Sequence, residues 1–187
     1  MKSIILMGIK HCGKSTQARL LGKEFKMPVY DTDNLIEDET GLSPRELYTQ
    51  KGELAFKDAE TVACVHLKEK LSETNSDAVI ATGGGICNNP DALDVLKSIG
   101  TCIFLKADEK IAVERILKEA VVSEDGSIRN LPAYIAKKNP CSLDEVREAS
   151  PEEIKQMTTG CGCGCDCGGD CGSGGGCGGC GGCGSCE

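Results

Sequence analysis

"SIILMGIKHCGKSTQARLLGKEF", Ser3 to Phe25, sets an apolar run, a glycine turn and an amphipathic pattern in that order. The run reads as a buried strand, and the pattern after the turn has helical spacing. Between them "GIKHCGKST", Gly8 to Thr16, satisfies G-x-x-x-x-G-K-[ST] in the strand-to-helix setting that gives the motif its meaning. A polyphosphate carries several negative charges, and a turn of backbone N–H groups at a helix N-terminus can surround them without steric conflict. Gly8 and Gly13 permit the close turn. Lys14 is placed for the β- and γ-phosphates, the Ser15 hydroxyl for Mg²⁺, and Thr16 for the α-phosphate. Because such a loop works through its backbone, the side chains of His11 and Cys12 are read as pointing away.

The same alternation continues along the chain. Apolar runs at 27–33, 77–85 and 100–107 each close on Asp, Gly or Ala and read as further parallel strands. Between them lie helical patterns at 43–71, broken near Gly52, at 89–99 and at 108–120. Asn89 before Pro90 reads as an N-cap with proline at N1, and Asp108 caps the helix after the fourth strand. Strands alternating with helices predict an α/β sheet with right-handed crossovers.

Two further motifs fall at strand ends, where ligands of open parallel sheets bind. In "DTD", Asp31 and Asp33 share a face of extended chain. One is placed to hold Mg²⁺ through water while the other accepts hydrogen bonds from a substrate hydroxyl and takes its proton. A turn or helix cap is the plainer role for one of the two. In "ATGGG", Gly83, Gly84 and Gly85 allow a ligand or loop to approach the backbone closely, or else form a plain tight turn.

Taken together, "GIKHCGKST", "PVYDTDNLIEDETGLSPRELYTQKGELAFKDAE" and "VIATGGGICNNPDAL", followed by "TCIFLKADEKIAVERI", resemble the shikimate kinase family over about residues 2–140. The resemblance implies a three-layer α/β/α P-loop kinase fold. Four strands of its parallel sheet are visible, with substrate-binding helices at about 34–72 and a lid at about 119–140. It implies transfer of the γ-phosphate of ATP to the 3-hydroxyl of shikimate, with Mg²⁺ as cofactor, in aromatic amino-acid biosynthesis. Phosphate binding falls on His11, Cys12, Gly13, Lys14, Ser15 and Thr16, with Ser15 as metal ligand and Asp31 assisting through water. Asp33 is placed on the shikimate hydroxyls as proton acceptor, and Gly83, Gly84 and Gly85 line the substrate pocket. Arg115 resembles the arginine that packs near adenine, and Arg129 resembles the lid arginine that reaches the transferring phosphate. Lys14, Asp33 and Arg129 form the catalytic set.

Two departures from the family pattern bear on the substrate. The family clamps the shikimate carboxylate with an arginine after the phenylalanine of G-E-x-x-F-R, where "GELAFKDAE" offers Lys57. Lysine keeps the charge but not the planar two-pronged contact. After the lid the family continues with another carboxylate-binding arginine and a last strand. Here "SLDEVREA" opens a helix with Ser142 and Glu145 as a capping box, and "SPEE" at Ser150 reads as a helix restart. Arg147 is the one arginine available there, and no fifth apolar strand follows. Lys137 and Lys138 read as a solvated lid face or as substitute positive charge.

Composition divides the chain at about residue 157. The 187 residues carry a net charge of −8, mixed rather than in blocks, so nothing points to nucleic acid or an anionic membrane. Neither a signal-peptide core nor a membrane span is visible, so a cytoplasmic monomer acting on small molecules is expected. Residues 158–187 hold nine of the fourteen cysteines among glycines. The C-x-C and C-x-x-C spacings suit Zn²⁺ or Cu⁺, but without apolar residues a flexible low-complexity tail is equally open. Structural disulfides are disfavoured in a reducing compartment. Three functions therefore stand open: the shikimate kinase, a kinase for another small polyol, and a catalytically impaired nucleotide binder with a metal-handling tail.

Overall fold

A computed structural model describes residues 2–136 and 138–159. The cysteine-rich segment from 160 onward and Lys137 lie outside the described residues, and so do the metal, disulfide and tail readings attached to them.

Four strands form one parallel sheet: β1 (Ser3–Met7), β2 (Val29–Asp31), β3 (Val79–Ala81) and β4 (Gly100–Phe104), ordered β2-β3-β1-β4. The apolar character of β1 and β3 follows from burial on both faces, whereas β2 and β4 form the partly exposed edges. Along β1 the side chains divide by alternation. Ile5 and Met7 join a core with Leu67, Leu71, Leu93 and Leu96, whereas Leu6 packs with Ala18, Val79 and Ala81. The first core comes from helices α3 (Pro44–Glu73) and α4 (Pro90–Ile99), and the second from α1 (Lys14–Phe25). Helices thus cover both faces of the sheet, giving three layers. Asn89 and Asp108 cap α4 and α5 (Glu109–Glu119) as their positions predict.

Beyond the sheet, α2 (Thr32–Thr40) and α3 form the expected substrate-side helices, with Ile36, Leu47 and Ala63 buried between them. The lid segment contains an antiparallel pair, β5 (Val121–Val122) and β6 (Ile128–Arg129), that the apolar pattern did not announce. Two paired residues per strand are too few for a period to register. A short α6 (Ala133–Ala136) follows, then α7 (Leu143–Thr159).

Helix α7 corrects one expectation. There is no restart at Ser150, because the helix runs on through Pro151. Ser150 is buried and donates its hydroxyl to the Val146 carbonyl one turn back, instead of capping a new helix. Val146, Ser150 and Ile154 share one face, and Val146 and Ile154 are buried with Val113 and Ile116 of α5. Burying two such side chains contributes roughly 3–6 kcal/mol, enough to offset the ~3 kcal/mol of an internal proline. At its start Glu145 donates its N–H to Ser142 Oγ at 3.1 Å, while its carboxylate accepts from the Cys141 N–H at 2.7 Å, one residue earlier than a capping box requires.

The break expected in α3 is present at Gly52, with φ 86° and ψ 178° inside an otherwise helical run. A side chain is strained there even though no atom lies within 4 Å of where its Cβ would stand. Gly52→Ala is therefore expected to lower stability by about 1–3 kcal/mol in urea denaturation. An unchanged midpoint would contradict the break.

Candidate active site

The site begins with the phosphate loop. Gly13 takes φ 99° as the residue before α1, and His11 also has a left-handed backbone, at φ 68°. Lys14, the first residue of α1, is buried, and its ammonium donates to the carbonyls of Gly8 and Ile9 at 2.8 Å each. Cys12 Sγ lies 3.7 Å from the same nitrogen, so this side chain turns toward the loop lysine rather than away. The imidazole of His11 is also turned inward. Its Nε2 is buried without a hydrogen-bond partner, and its Nδ1 lies 3.3 Å from the Glu119 carboxylate. Burial, only partly opposed by Glu119, pushes its pKa down. Both side chains thus depart from the expectation that the middle of the loop points outward. The Arg115 guanidinium donates to the His11 carbonyl at 2.7 Å and ties α5 to the loop. Thr16 is exposed on the first turn of α1.

Asp31 and Asp33 meet at the end of β2, but not through shared strand periodicity. The strand stops at Asp31, and Asp33 already belongs to α2. Asp31 caps that helix, its Oδ1 accepting from the Asp33 N–H at 3.1 Å, and its Oδ2 accepts from the Ser15 hydroxyl at 2.8 Å. The cap turns the chain, so a helical bend does what alternation was expected to do. Thr32 between them is fully buried, and its Oγ1 accepts from the Gly83 N–H at 2.8 Å, fastening β2 to the glycine segment.

Gly83–Gly85 form a loop beyond β3, which ends at Ala81, and lead into a short 3-10 turn at Ile86–Asn88. A Cβ on Gly83 would lie 2.8 Å from Asp33 Oδ1 and 3.4 Å from Glu60 Oε1, and one on Gly84 would lie 2.9 Å from the Lys10 backbone nitrogen. Gly85 meets nothing within 4 Å. The glycine pattern thus reflects close approach at its first two positions only.

These groups open on a cavity of about 840 Å³, lined in part by Lys10, Asp33, Gly83, Gly84 and Gly85. Its other wall comes from the two pieces of α3. Arg45, Tyr48 and Thr49 stand on one face before Gly52, and Glu53, Phe56, Lys57 and Glu60 on one face after it, both at helical three-and-four spacing. Lys57 therefore does reach the cavity, but its ammonium is paired with Glu53 at 2.9 Å. Lys138 lines the cavity too. Arg129 does not: it is exposed on β6, next to Asn130, whose side chain accepts from Arg45 at 3.1 Å.

Glu60 is the functional candidate that the motifs missed. It is 1% exposed; Oε2 accepts from the Asn89 amide at 3.0 Å, while Oε1 has no partner. Burial, opposed in part by Asn89, lifts its carboxyl to about 7. The carboxyl of Asp33 is also pushed up, first by burial and then by the charge of Asp31, against the pull of Lys14 and Lys10. The signal was available in the spacing, since Glu60 continues the face of Glu53, Phe56 and Lys57.

A glycine loop closed on a buried lysine, beside two carboxylates where the parallel strand β2 turns into α2, defines the class as a P-loop nucleotide-dependent phosphotransferase. The family model of shikimate kinase matches residues 10–155. The chain is 32% identical over 156 residues to a shikimate kinase of Syntrophus aciditrophicus, covering 83% of this chain and 75% of that one. The crystal structure of shikimate kinase from Aquifex aeolicus aligns with a TM-score of 0.57 at 30% identity, over 84% of this chain and 82% of that one. At 23% identity, shikimate kinase from Acinetobacter baumannii in complex with shikimate shares the fold with a TM-score of 0.59, over 84% and 80% of the two chains. The chain belongs to the shikimate kinase family. It is accordingly an enzyme, a phosphotransferase with an alcohol acceptor.

Because the folded-state pKa of Glu60 lies above the usual 4.5, its stabilising contribution is fully present below about pH 4.5 and is lost as pH rises through about 7. Glu60→Gln keeps an acceptor for Asn89 and removes the titration. Between pH 5 and 8 the wild type is expected to lose about 2–3 kcal/mol more than the variant, read from urea midpoints across that range. Parallel pH dependences would contradict the assignment.

Proposed function

We propose that this enzyme transfers the γ-phosphate of ATP to the 3-hydroxyl of shikimate, giving 3-phosphoshikimate and ADP. The observation that carries the reading is that Asp33 lines the cavity within the field of the loop lysine, Lys14, in a chain of this family. The loop from His11 to Thr16 binds the triphosphate, and Lys14 exchanges its two carbonyl partners for phosphate oxygens. Asp33 accepts the proton of the 3-hydroxyl as that oxygen bonds to the γ-phosphorus. The bond from phosphorus to the bridging oxygen breaks, and its electron pair leaves with ADP. A raised pKa suits Asp33 to holding that proton.

The Ser15 hydroxyl and the Asp31 carboxylate, 2.8 Å apart beside the loop, are hard oxygen donors of the kind Mg²⁺ takes, Asp31 acting through water. When bound, Mg²⁺ would neutralise phosphate charge. Gly83 and Gly84 let the acceptor lie against the backbone, with Gly85 completing the loop and Lys57 adding positive charge to the wall. Arg115 braces the loop near the nucleotide. Arg129, adjacent to the Asn130 side chain that Arg45 holds, is the lid cation we assign to the transferring phosphate. The domain division at 157/158, a cytoplasmic setting and a monomeric state belong to the same proposal. Among the described residues no helix is long and apolar enough to cross a membrane, and no cluster of three or more His, Cys, Asp or Glu could hold a metal.

A coupled assay of ADP release tests the reading across shikimate and other small polyols. Shikimate is expected to stimulate release and the other polyols are not; absence of stimulation would sink the proposal. Lys14→Met should lower kcat/KM roughly 100- to 1,000-fold. Asp33→Asn should lower kcat roughly 100- to 10,000-fold, and near-normal turnover in that variant would remove Asp33 from proton transfer.

A further inference from the structure

We propose that Arg45 is the specificity-determining group that reads the carboxylate of the acceptor, an inference that rests on the reading of that acceptor as shikimate. Shikimate bears one carboxylate besides its hydroxyls, and a carboxylate leaving water for a cavity needs a cation or several donors. Of the cavity's three carboxylates, Glu53 is paired with Lys57, whereas Asp33 and Glu60 lie together against Gly83. Like charge therefore orients the acceptor, with hydroxyls toward Asp33 and the carboxylate toward the cationic wall.

On that wall Lys57 and Lys138 offer point charges without a planar fork, and Lys57 is the more poorly suited. Its ammonium is 2.9 Å from Glu53 Oε1, and the other oxygen of Glu53 accepts from the Tyr48 hydroxyl at 3.4 Å, so a bridge across the Gly52 break already holds the lysine. Arg45 is the one arginine on the cavity wall among the described residues. It stands in the first turn of α3, on the same helical face as Tyr48 and Thr49. Its Nη1 donates to the side-chain oxygen of Asn130 at 3.1 Å, which fixes the guanidinium where the lid segment meets the cavity. Asn130 adopts φ 64°, a left-handed conformation that asparagine accepts more readily than most residues, and Leu131 and Pro132 continue from it along the cavity wall. A guanidinium has five donors in a planar fork. One donor used on Asn130 leaves the others for a two-pronged contact with the carboxylate. The contact would also couple acceptor binding to the placement of the lid.

The test compares steady-state kinetics of wild type, Arg45→Ala, Arg45→Gln and Arg45→Lys with shikimate and with its methyl ester, which keeps the hydroxyls and lacks the charge. In Arg45→Ala and Arg45→Gln, KM for shikimate should rise roughly 10- to 100-fold with kcat changed less than about threefold, and the preference for shikimate over the ester should collapse. Arg45→Lys should recover only part of the preference, because lysine keeps the charge and loses the fork. Arg45 is exposed at a helix start, and unchanged thermal unfolding and ATP binding would confirm that each variant folds. Equal losses toward shikimate and its ester, or an unchanged KM, would overturn the role of Arg45 while leaving the kinase assignment intact. A wild type that neither binds nor phosphorylates shikimate would overturn both.

Discussion

The ammonium of Lys14, held inside its own loop by the carbonyls of Gly8 and Ile9, is the constraint to which the site is built. A buried cation needs compensation, and two neutral carbonyls supply only part of what a phosphate would. The loop is thus wound around a charge that a polyphosphate satisfies better than the protein does. Strand β1 fixes where the loop starts, Arg115 braces its middle, and α1 begins at Lys14 itself. Because β1 lies between β3 and β4, with β2 beyond β3, the ends of three consecutive strands in the sheet carry the loop, Asp31 and the glycine segment to one side of the molecule.

Around that charge the acceptor side follows from two local devices. The cap at Asp31 turns the chain so that Asp33 faces the cavity from α2 while Asp31 stays on Ser15. The break at Gly52 lets both pieces of α3 present a polar face to the same space. A straight helix of that length would carry its face past the cavity. Two carboxyls with raised pKa values, Asp33 and Glu60, meet at Gly83, where an added Cβ would press on the Asp33 carboxylate. Their proximity favours one of them keeping a proton, which suits a site that must accept one during transfer.

Much of this was legible in the chain, and the limits have physical causes. Each strand of the parallel sheet, the loop, the caps at Asn89 and Asp108 and the break at Gly52 rest on local signals, and local signals survive folding. The spacing puts Glu60 on the face of Lys57, but its pairing with Asn89, like the contact of Arg45 with Asn130, was not legible because each partner lies far along the chain. Ser150 misled because a serine before a proline is a good local helix start, and only the distant core of α5 makes a continuous α7 the better solution. The shared face expected of Asp31 and Asp33 failed because the strand ended two residues too soon, yet the side-chain cap restored their proximity. Membership of the family fixes the class of chemistry, while Lys57, tied to Glu53, marks where this chain goes its own way on the acceptor.

The most direct measurement of the central claim is the regiochemistry of the product. Phosphorus NMR of a reaction containing ATP, Mg²⁺ and shikimate should reveal one phosphomonoester, its phosphorus coupled to the proton on carbon 3, formed in step with ADP. ADP and inorganic phosphate without an ester, or phosphate on another oxygen, would contradict the placement of the 3-hydroxyl between Asp33 and the loop of Lys14.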